Sequence, residues 1–476
     1  MGYDNDAFFA RADKYILNTV APWAPTVITR TKGIFIYDAD GKEIIDFTSG
    51  QMSASLGHCH PEIAQVVSKS ITELDHLNST ILSPPVVDLA EEIAQLLPAP
   101  LEKTFFISTG SESVEAAINL AKAATGKFEI VAFSASYHGV TGGVSAATYS
   151  VGRKHGKPVV PGHLAFPAPN AYRSVFRTPD GSYDWETEMD YAWGLIDAAS
   201  VGSLAGFVIE PILSCGGILE PPLGYFKRLY AECQKRGMLL IDDEAQTGVG
   251  RTGDMFAFER DGFVPDILAL SKSLGCGIAL SSVSTSAEIA KKAIDKGFYF
   301  GTTHVNDPLP CAVGCKVLEV VKRDGLVQKA KERGLQLTRG LLRLKEKYWC
   351  VGDVRGRGLL QGIEIIGDPV TKVQSSELGA MIAAKGLELG ISCQILAVPG
   401  AFGVFRIAPP LIVSAEEIDR AVSILDQSMA FALSQEPYRN VVIKARAVNG
   451  TAVSESAVKG PTVNITAVNG ASIKAH

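Results

Sequence analysis

The sequence predicts an α/β protein with a mainly parallel central sheet sandwiched by helices, plus a smaller α+β domain. Three observations carry that prediction. Strand-like runs such as Glu129–Phe133 and Ile267–Leu270 are short and continuously apolar, as expected of strands covered by helices on both faces. From about residue 60 to residue 315 these runs alternate with helical stretches, the pattern that builds parallel sheets. Two of the runs empty directly onto acidic or basic residues, and open α/β sheets bind ligands at the carboxyl ends of their strands.

Residues 61–74 and 85–97 carry apolar side chains at helical spacing. Residues 103–108 read as a strand, and 112–125 as a helix with small and apolar residues on one face. Further strands are predicted at 129–133, 206–209, 238–241 and 267–270. The stretch 165–184, rich in Pro, Asn, Arg and Tyr, reads as a long ordered excursion. From about residue 325 the pattern changes to long helices around few strands, with a helix over 326–347 and a strand over 358–366. The expected organisation is a large domain over 60–315 and a small one from 1–59 and 316–436. The tail 437–476 repeats Ala-Val-Asn-Gly at 447–450 and 467–470. It reads as either a hairpin or a flexible appendage, without assigned chemistry.

Composition narrows the function classes. The 476 residues carry 45 Lys+Arg against 51 Asp+Glu, a net charge of −6, which argues against a nucleic-acid or anionic-membrane partner. No apolar run approaches the ~18 residues of a membrane span. Asp4, Asp6 and Asp13 near the start suit neither a signal nor a transit peptide, so a cytoplasmic protein is expected. The eight cysteines and eight histidines are dispersed and form no C-x-x-C, so free thiols are expected and a zinc site is not.

The chemistry concentrates at two strand ends. The run from Met238 closes on Asp242, Asp243 and Glu244, and 29 residues after Asp243 a second run closes on Lys272. A partly desolvated lysine has a lowered pKa and favours the neutral amine that forms a Schiff base. Asp243 is placed to hold a cationic ring nitrogen, and pyridoxal phosphate requires this lysine–acid pair. Residues 108–113 (STGSES) lie between strand and helix, where backbone N–H groups point at an anion; the same residues would also make a plain helix cap. Tyr137 follows another strand and offers a ring for stacking, though a lone Tyr is more often simply packed. Residues 248–253 match G-x-G-x-x-G. Six residues separate them from the strand, and Gly262 and Pro265 cut short the helix a dinucleotide site needs.

Residues 243–253 (DEAQTGVGRTG), Ser271-Lys272, 108–113 and 354–360 (VRGRGLL) resemble the class III pyridoxal-phosphate aminotransferases of fold type I. The resemblance spans about residues 30–430. Within the class the chain is most similar to the 2,2-dialkylglycine decarboxylases, through 46–53 (DFTSGQMS), 302–305 (TTHV), 307–310 (DPLP) and 404–410 (VFRIAPP). The resemblance implies a homodimer with shared active sites, able to pair further into a tetramer. It makes Lys272 the cofactor-bearing lysine, pairs Asp243 with the ring nitrogen and Gln246 with the ring oxygen, and stacks Tyr137 on the ring. Gly110 and Ser111 bind phosphate, joined by Thr303 of the partner subunit. Arg406 clamps a substrate carboxylate, and Gln51 holds the carboxylate that leaves as CO₂. The implied reaction is decarboxylation-dependent transamination of α,α-dialkyl amino acids, with a keto acid such as pyruvate as acceptor. The alternative is a conventional class III (ω-type) aminotransferase that removes a proton. An alkali cation, K⁺, is implied at Leu77, Ser79, Thr303, Val305 and Asp307.

Four positions depart from that pattern. Cys215 replaces a serine beside the substrate carboxylate, Tyr137 a tryptophan, Val140 a methionine and Gly301 a tyrosine. Three of the four changes shrink a side chain in or near the substrate pocket, which predicts room for a bulkier substituent.

Overall fold

The apolar runs form the middle of a seven-stranded sheet. In this computed structural model, which describes residues 4–19, 22–150, 160–396 and 403–441, the strand order is Lys103–Ile107, Ser281–Thr285, Ile267–Leu270, Leu239–Asp243, Leu204–Ile209, Glu129–Phe133, His163–Phe166. The last five run parallel. Ser281–Thr285 is antiparallel to both of its neighbours. Every residue of Glu129–Phe133, Leu204–Ile209 and Ile267–Leu270 is buried, as continuous apolar runs require.

The helix Gly110–Thr125 crosses the sheet on its small face, burying Ala116, Ala117, Ala121 and Ala124 beside Val114 and Ile118. Its start is fixed by a capping box. Thr109 Oγ1 accepts the Glu112 N–H at 3.3 Å, and Glu112 Oε2 accepts the Thr109 N–H at 2.8 Å. It stops at Gly126, in the left-handed region at φ +71°. Helices at Pro61–Glu73 and Pro84–Leu96 and the long Leu326–Lys347 follow the predicted spans to within a residue or so.

Two smaller sheets lie outside the central one. The antiparallel strands Ile28–Lys32, Phe35–Asp38 and Glu43–Asp46 are joined by Ile391–Ser392, which pairs parallel with the last of them. Lys42 Nζ adds hydrogen bonds to the carbonyls of Leu387 and Glu388, so the N-terminal segment is tied to residues near 390. The second sheet has the order Val351–Arg357, Leu360–Ile365, Val404–Ile407, Gln394–Leu396. The excursion after residue 165 starts in a strand and is anchored where Arg173 Nε donates to Glu364 Oε1 at 2.7 Å. All eight cysteines are free thiols. Among the described residues no helix is long and apolar enough to cross a membrane. The repeats in the tail lie outside the described residues.

Candidate active site

At the carboxyl ends of the parallel strands, a cavity of about 330 Å³ opens between the cap of Gly110–Thr125, the turn after Glu129–Phe133 and the ends of the next three strands. Strand alternation sorts the three acids after Ile241. Asp243 lines the cavity and is buried, while its two neighbours turn to the opposite side of the strand. There Glu244 accepts the N–H groups of Ala257 and Phe258 at 2.8 and 3.0 Å. Asp242 has both oxygens buried without a partner, and burial followed by the charge of Glu244 raises its pKa well above the ordinary carboxylate value. Asp243 is held from behind, with His138 Nδ1 2.8 Å from its Oδ2 and the Ala245 N–H 3.1 Å from its Oδ1.

Lys272 follows Ile267–Leu270 at the first position of a short turn, and its backbone lies in the left-handed region at φ +39°. Burial lowers the pKa of its amine, and the charge of Asp243 opposes that shift. Desolvation wins, so the neutral amine is more accessible than on an exposed lysine.

Gly110 and Ser111 form the first turn of their helix at the cavity wall. The capping box satisfies the Thr109 and Glu112 N–H groups; helix geometry leaves the Gly110 and Ser111 N–H groups without an intrahelical partner, and both residues line the cavity, so a cap and an anion cradle can coexist. The cradle is tight: a Cβ at Gly110 would lie 2.8 Å from Ser271 Oγ, and one at Gly139 would lie 2.4 Å from Ser111 Oγ. Ser111 Oγ also accepts the Val140 N–H at 3.1 Å.

Arg406, in Val404–Ile407, is buried, donating from Nη1 to Cys215 Sγ at 3.2 Å and from Nη2 to Gln394 Oε1. Both Arg406 and Cys215 act electrostatically on Lys272 and on Tyr137. Tyr137 lines the cavity, and burial raises its phenol. Several lining residues, His138 and Glu210 among them, were not singled out from the sequence. Glu210 ends Leu204–Ile209, accepts the backbone N–H of Tyr137 at 2.8 Å and of Ser214 at 3.3 Å, and is pushed by burial up to about 7. Its position directly after an apolar run is the signal used for Asp243 and Lys272.

Of the predicted site residues, Lys272, Asp243, Gln246, Tyr137, Gly110 and Ser111 line the one cavity; Arg406 and Cys215 are not among its lining residues but act electrostatically on Lys272 and Tyr137. Gln51, Val140 and Thr303 are exposed and do not line it. Gln51 sits in an irregular turn with Gly50 at φ 63°, two residues before Ser53, which does reach the wall. Gly301 is exposed near Thr303. Of the proposed alkali-cation ligands, Leu77, Ser79, Thr303 and Val305 lie in two loops, and both Asp307 oxygens are engaged, by His76 and by His304. The glycines at 248–253 lie in a turn followed only by the short 3₁₀ segment Ala257–Asp261, which removes the dinucleotide reading.

Pyridoxal phosphate meets a set of unpartnered polar groups suited to it. Gln246 Oε1, His138 Nε2 and Ser271 Oγ are buried at this site without a hydrogen-bond partner, and such groups are costly unless a ligand or water completes them. Fold and site together define a fold type I pyridoxal-phosphate enzyme. The chain belongs to the class III aminotransferases: the family model, Aminotransferase class-III, matches residues 18–429. An uncharacterised aminotransferase of Schizosaccharomyces pombe is 52% identical over 91% of this chain and 96% of its own. The 5-aminovalerate aminotransferase of Pseudomonas putida is 32% identical over 90% of this chain and 99% of its own. Among solved structures, an ω-transaminase from Pseudomonas jessenii in complex with PMP superposes with a TM-score of 0.84 at 25% identity, covering 89% of this chain and 98% of that one.

Proposed function

We propose that this class III aminotransferase carries out decarboxylation-dependent transamination of α,α-dialkyl amino acids, releasing CO₂ and a ketone and passing the amino group to a keto acid such as pyruvate. The observation that carries the reading is Arg406, buried and acting electrostatically on the cavity residues Lys272 and Tyr137, a guanidinium suited to clamp an α-carboxylate.

When bound, pyridoxal phosphate supplies an aldehyde that condenses with amines and a protonated ring that accepts the electron pair of a broken Cα bond. Asp243, oriented by His138, would hold the ring nitrogen protonated. Gly110 and Ser111 would take the phosphate, joined by Thr303 of the partner subunit, Gln246 would take the ring oxygen, and Tyr137 would stack on the ring. Lys272, whose amine pKa is lowered by burial, would bear the cofactor and relay protons. Arg406 fixes one carboxylate of donor or acceptor, with Cys215 as a weak donor beside it. Gln51 is assigned the departing carboxylate. Orienting the bond to be broken is a positioning effect, worth several kcal/mol at most of the ~7–11 that full pre-organisation supplies. Of the three smaller side chains, Tyr137 lines the cavity and leaves room for a bulkier substituent than would the tryptophan it replaces, whereas Val140 and Gly301 lie outside it. We also assign residues 60–315 to a large domain and 1–59 with 316–436 to a small one.

The second reading, conventional ω-type transamination without CO₂ loss, is favoured by the exposed setting of Gln51 and by relatives named for 5-aminovalerate and 4-aminobutyrate. The two readings separate in one assay, with 2-aminoisobutyrate and pyruvate as substrates. Equal yields of CO₂ and alanine support decarboxylation. Alanine formed from ω-amino donors, with no CO₂ from several dialkylglycines, supports the second reading. Gln51→Ala is expected to abolish CO₂ release and spare half-reactions with ordinary amino acids; unchanged activity toward 2-aminoisobutyrate would remove Gln51 from the mechanism.

A further inference from the structure

The strand that carries Arg406 has a neighbour on each side, and directly across from Arg406 stand Gly362 on one and Gln394 on the other. Residues opposite one another in antiparallel pairs present their side chains on the same face. Glycine offers no group there, and a Cβ on Gly362 would lie 2.8 Å from that of the buried Ile218, so apolar packing closes that side. Gln394 occupies the other, where its Oε1 accepts a hydrogen bond from Arg406 Nη2. Gln394–Leu396 is an edge strand of its sheet, and Gln394 is half-buried. The guanidinium is held by two uncharged partners: Nη1 donates to Cys215 Sγ at 3.2 Å, Nη2 to Gln394, and Nε is buried with no partner. Among the described residues no carboxylate forms an ion pair with it.

We propose that Gln394 is a positioning residue that makes a carboxylate a requirement for substrates, because it fixes the plane of the Arg406 fork through a neutral acceptor and leaves the positive charge for the ligand. The inference rests on the reading of Arg406 as a carboxylate clamp. A guanidinium has several N–H donors in a fixed plane, and with Nε unpartnered the fork keeps donors for a carboxylate while Gln394 holds its orientation. A buried cation without a counter-charge is costly until an anion completes it. A glutamate in place of Gln394 would satisfy that charge within the protein by a charge-assisted pair and would repel an incoming carboxylate. The neutral amide does neither. The substrate class follows: amino acids and keto acids whose carboxylate reaches the fork serve as donor and acceptor, whereas a simple alkylamine such as butylamine leaves the Arg406 charge unpaired under an apolar chain and is rejected.

The test uses the full chain loaded with pyridoxal phosphate and two readouts. One is calorimetric titration with isobutyrate, a carboxylate with no amino group to react. The other is the half-reaction with alanine, followed by its lysine-linked visible absorbance; alanine is the product of pyruvate under either reading of the donor. Gln394→Glu is expected to raise the isobutyrate Kd and the half-saturating alanine concentration by roughly tenfold or more, with the saturating rate changed by less than about threefold. Gln394→Asn keeps a neutral amide and is expected to stay within about threefold of wild type in Kd, a rescue that a purely structural role for the longer side chain would not give. Should Gln394→Glu fail to melt cooperatively, Gln394→Met removes the acceptor without adding charge and is expected to weaken isobutyrate by roughly fivefold. Unchanged isobutyrate affinity in Gln394→Glu, or in Gln394→Met where that variant replaces it, while Arg406→Met loses binding, overturns the role of Gln394 and leaves the clamp standing. Unchanged affinity in Arg406→Met removes the clamp and the proposal with it. Butylamine turned over by the wild-type enzyme as readily as alanine also overturns the proposal.

Discussion

Single side chains carry most of the chemistry, and their placement yields two measurements. Lys272→Ala removes the only amine among the cavity-lining residues. It is expected to leave bound pyridoxal phosphate dialysable, with loss of its lysine-linked visible absorbance, while the fold melts cooperatively. Retention of that absorbance would show that another lysine bears the cofactor. Glu210 connects structure to pH in the cofactor-free protein. Its folded-state pKa is about 7 against an ordinary 4.5, so the folded state holds the extra proton between those values. The associated stability is complete below about pH 4.5 and is lost as pH rises through about 7, on the order of 3 kcal/mol. Glu210→Gln is expected to flatten that decline in urea midpoints compared at about pH 5 and about pH 8; parallel slopes in both proteins would mean an ionised Glu210 throughout. Asp243 and Lys272 were legible because a strand end is a sequence-local signal. The meeting of His76 with His304 was not, because dispersion along the chain says nothing about convergence in space.

At the scale of elements, helix starts and glycine contacts decide whether the cradle forms. Thr109→Ala removes one half of the capping box and is expected to cost about 1 kcal/mol of stability, measured by denaturant unfolding. Gly139→Ala is a different perturbation. Gly139 has φ +140°, and a Cβ there would collide with Ser111, so weaker retention of pyridoxal phosphate, by tenfold or more, is expected before any comparable loss of stability. Equal losses in the two variants would make the cradle merely a structural cap. The buried parallel strands were readable because apolar runs are the signature of coverage on both faces. Ser281–Thr285 was not, since its sequence is SSVST, yet all five residues are buried. Three of its four hydroxyls are satisfied across the sheet and beyond: Ser281 donates to the Thr109 carbonyl at 2.9 Å, Ser284 pairs with Thr104 at 2.8 Å, and Thr285 donates to the Asp266 carbonyl at 2.8 Å, while Ser282 Oγ is buried without a partner. The first N-terminal strand escaped for a different reason. Ile28–Lys32 is almost wholly exposed, so its sequence has no apolar face to reveal.

For the whole molecule, the prediction concerns assembly. The helix Asn5–Tyr15 buries none of its side chains, and Ile16 and Leu17 after it are 56% and 86% exposed. Apolar groups in that state are expected to be covered by a second copy of the chain. Light scattering should give twice the 50.6 kDa chain mass, and deletion of residues 4–17 should shift the dimer toward monomer on dilution. A wild-type protein that stays monomeric at micromolar concentration would count against the shared site to which Thr303 is assigned.

The left-handed backbone at Lys272 sets stability against reactivity. A side chain at φ +39° costs roughly 1–2 kcal/mol relative to an ordinary conformation, and glycine avoids that cost. Lys272→Gly is therefore expected to melt higher than Lys272→Ala, both being inactive, and the gap reads out the local strain. Selection for folding alone would drift this position toward glycine; the lysine persists against that drift only while its amine is in use.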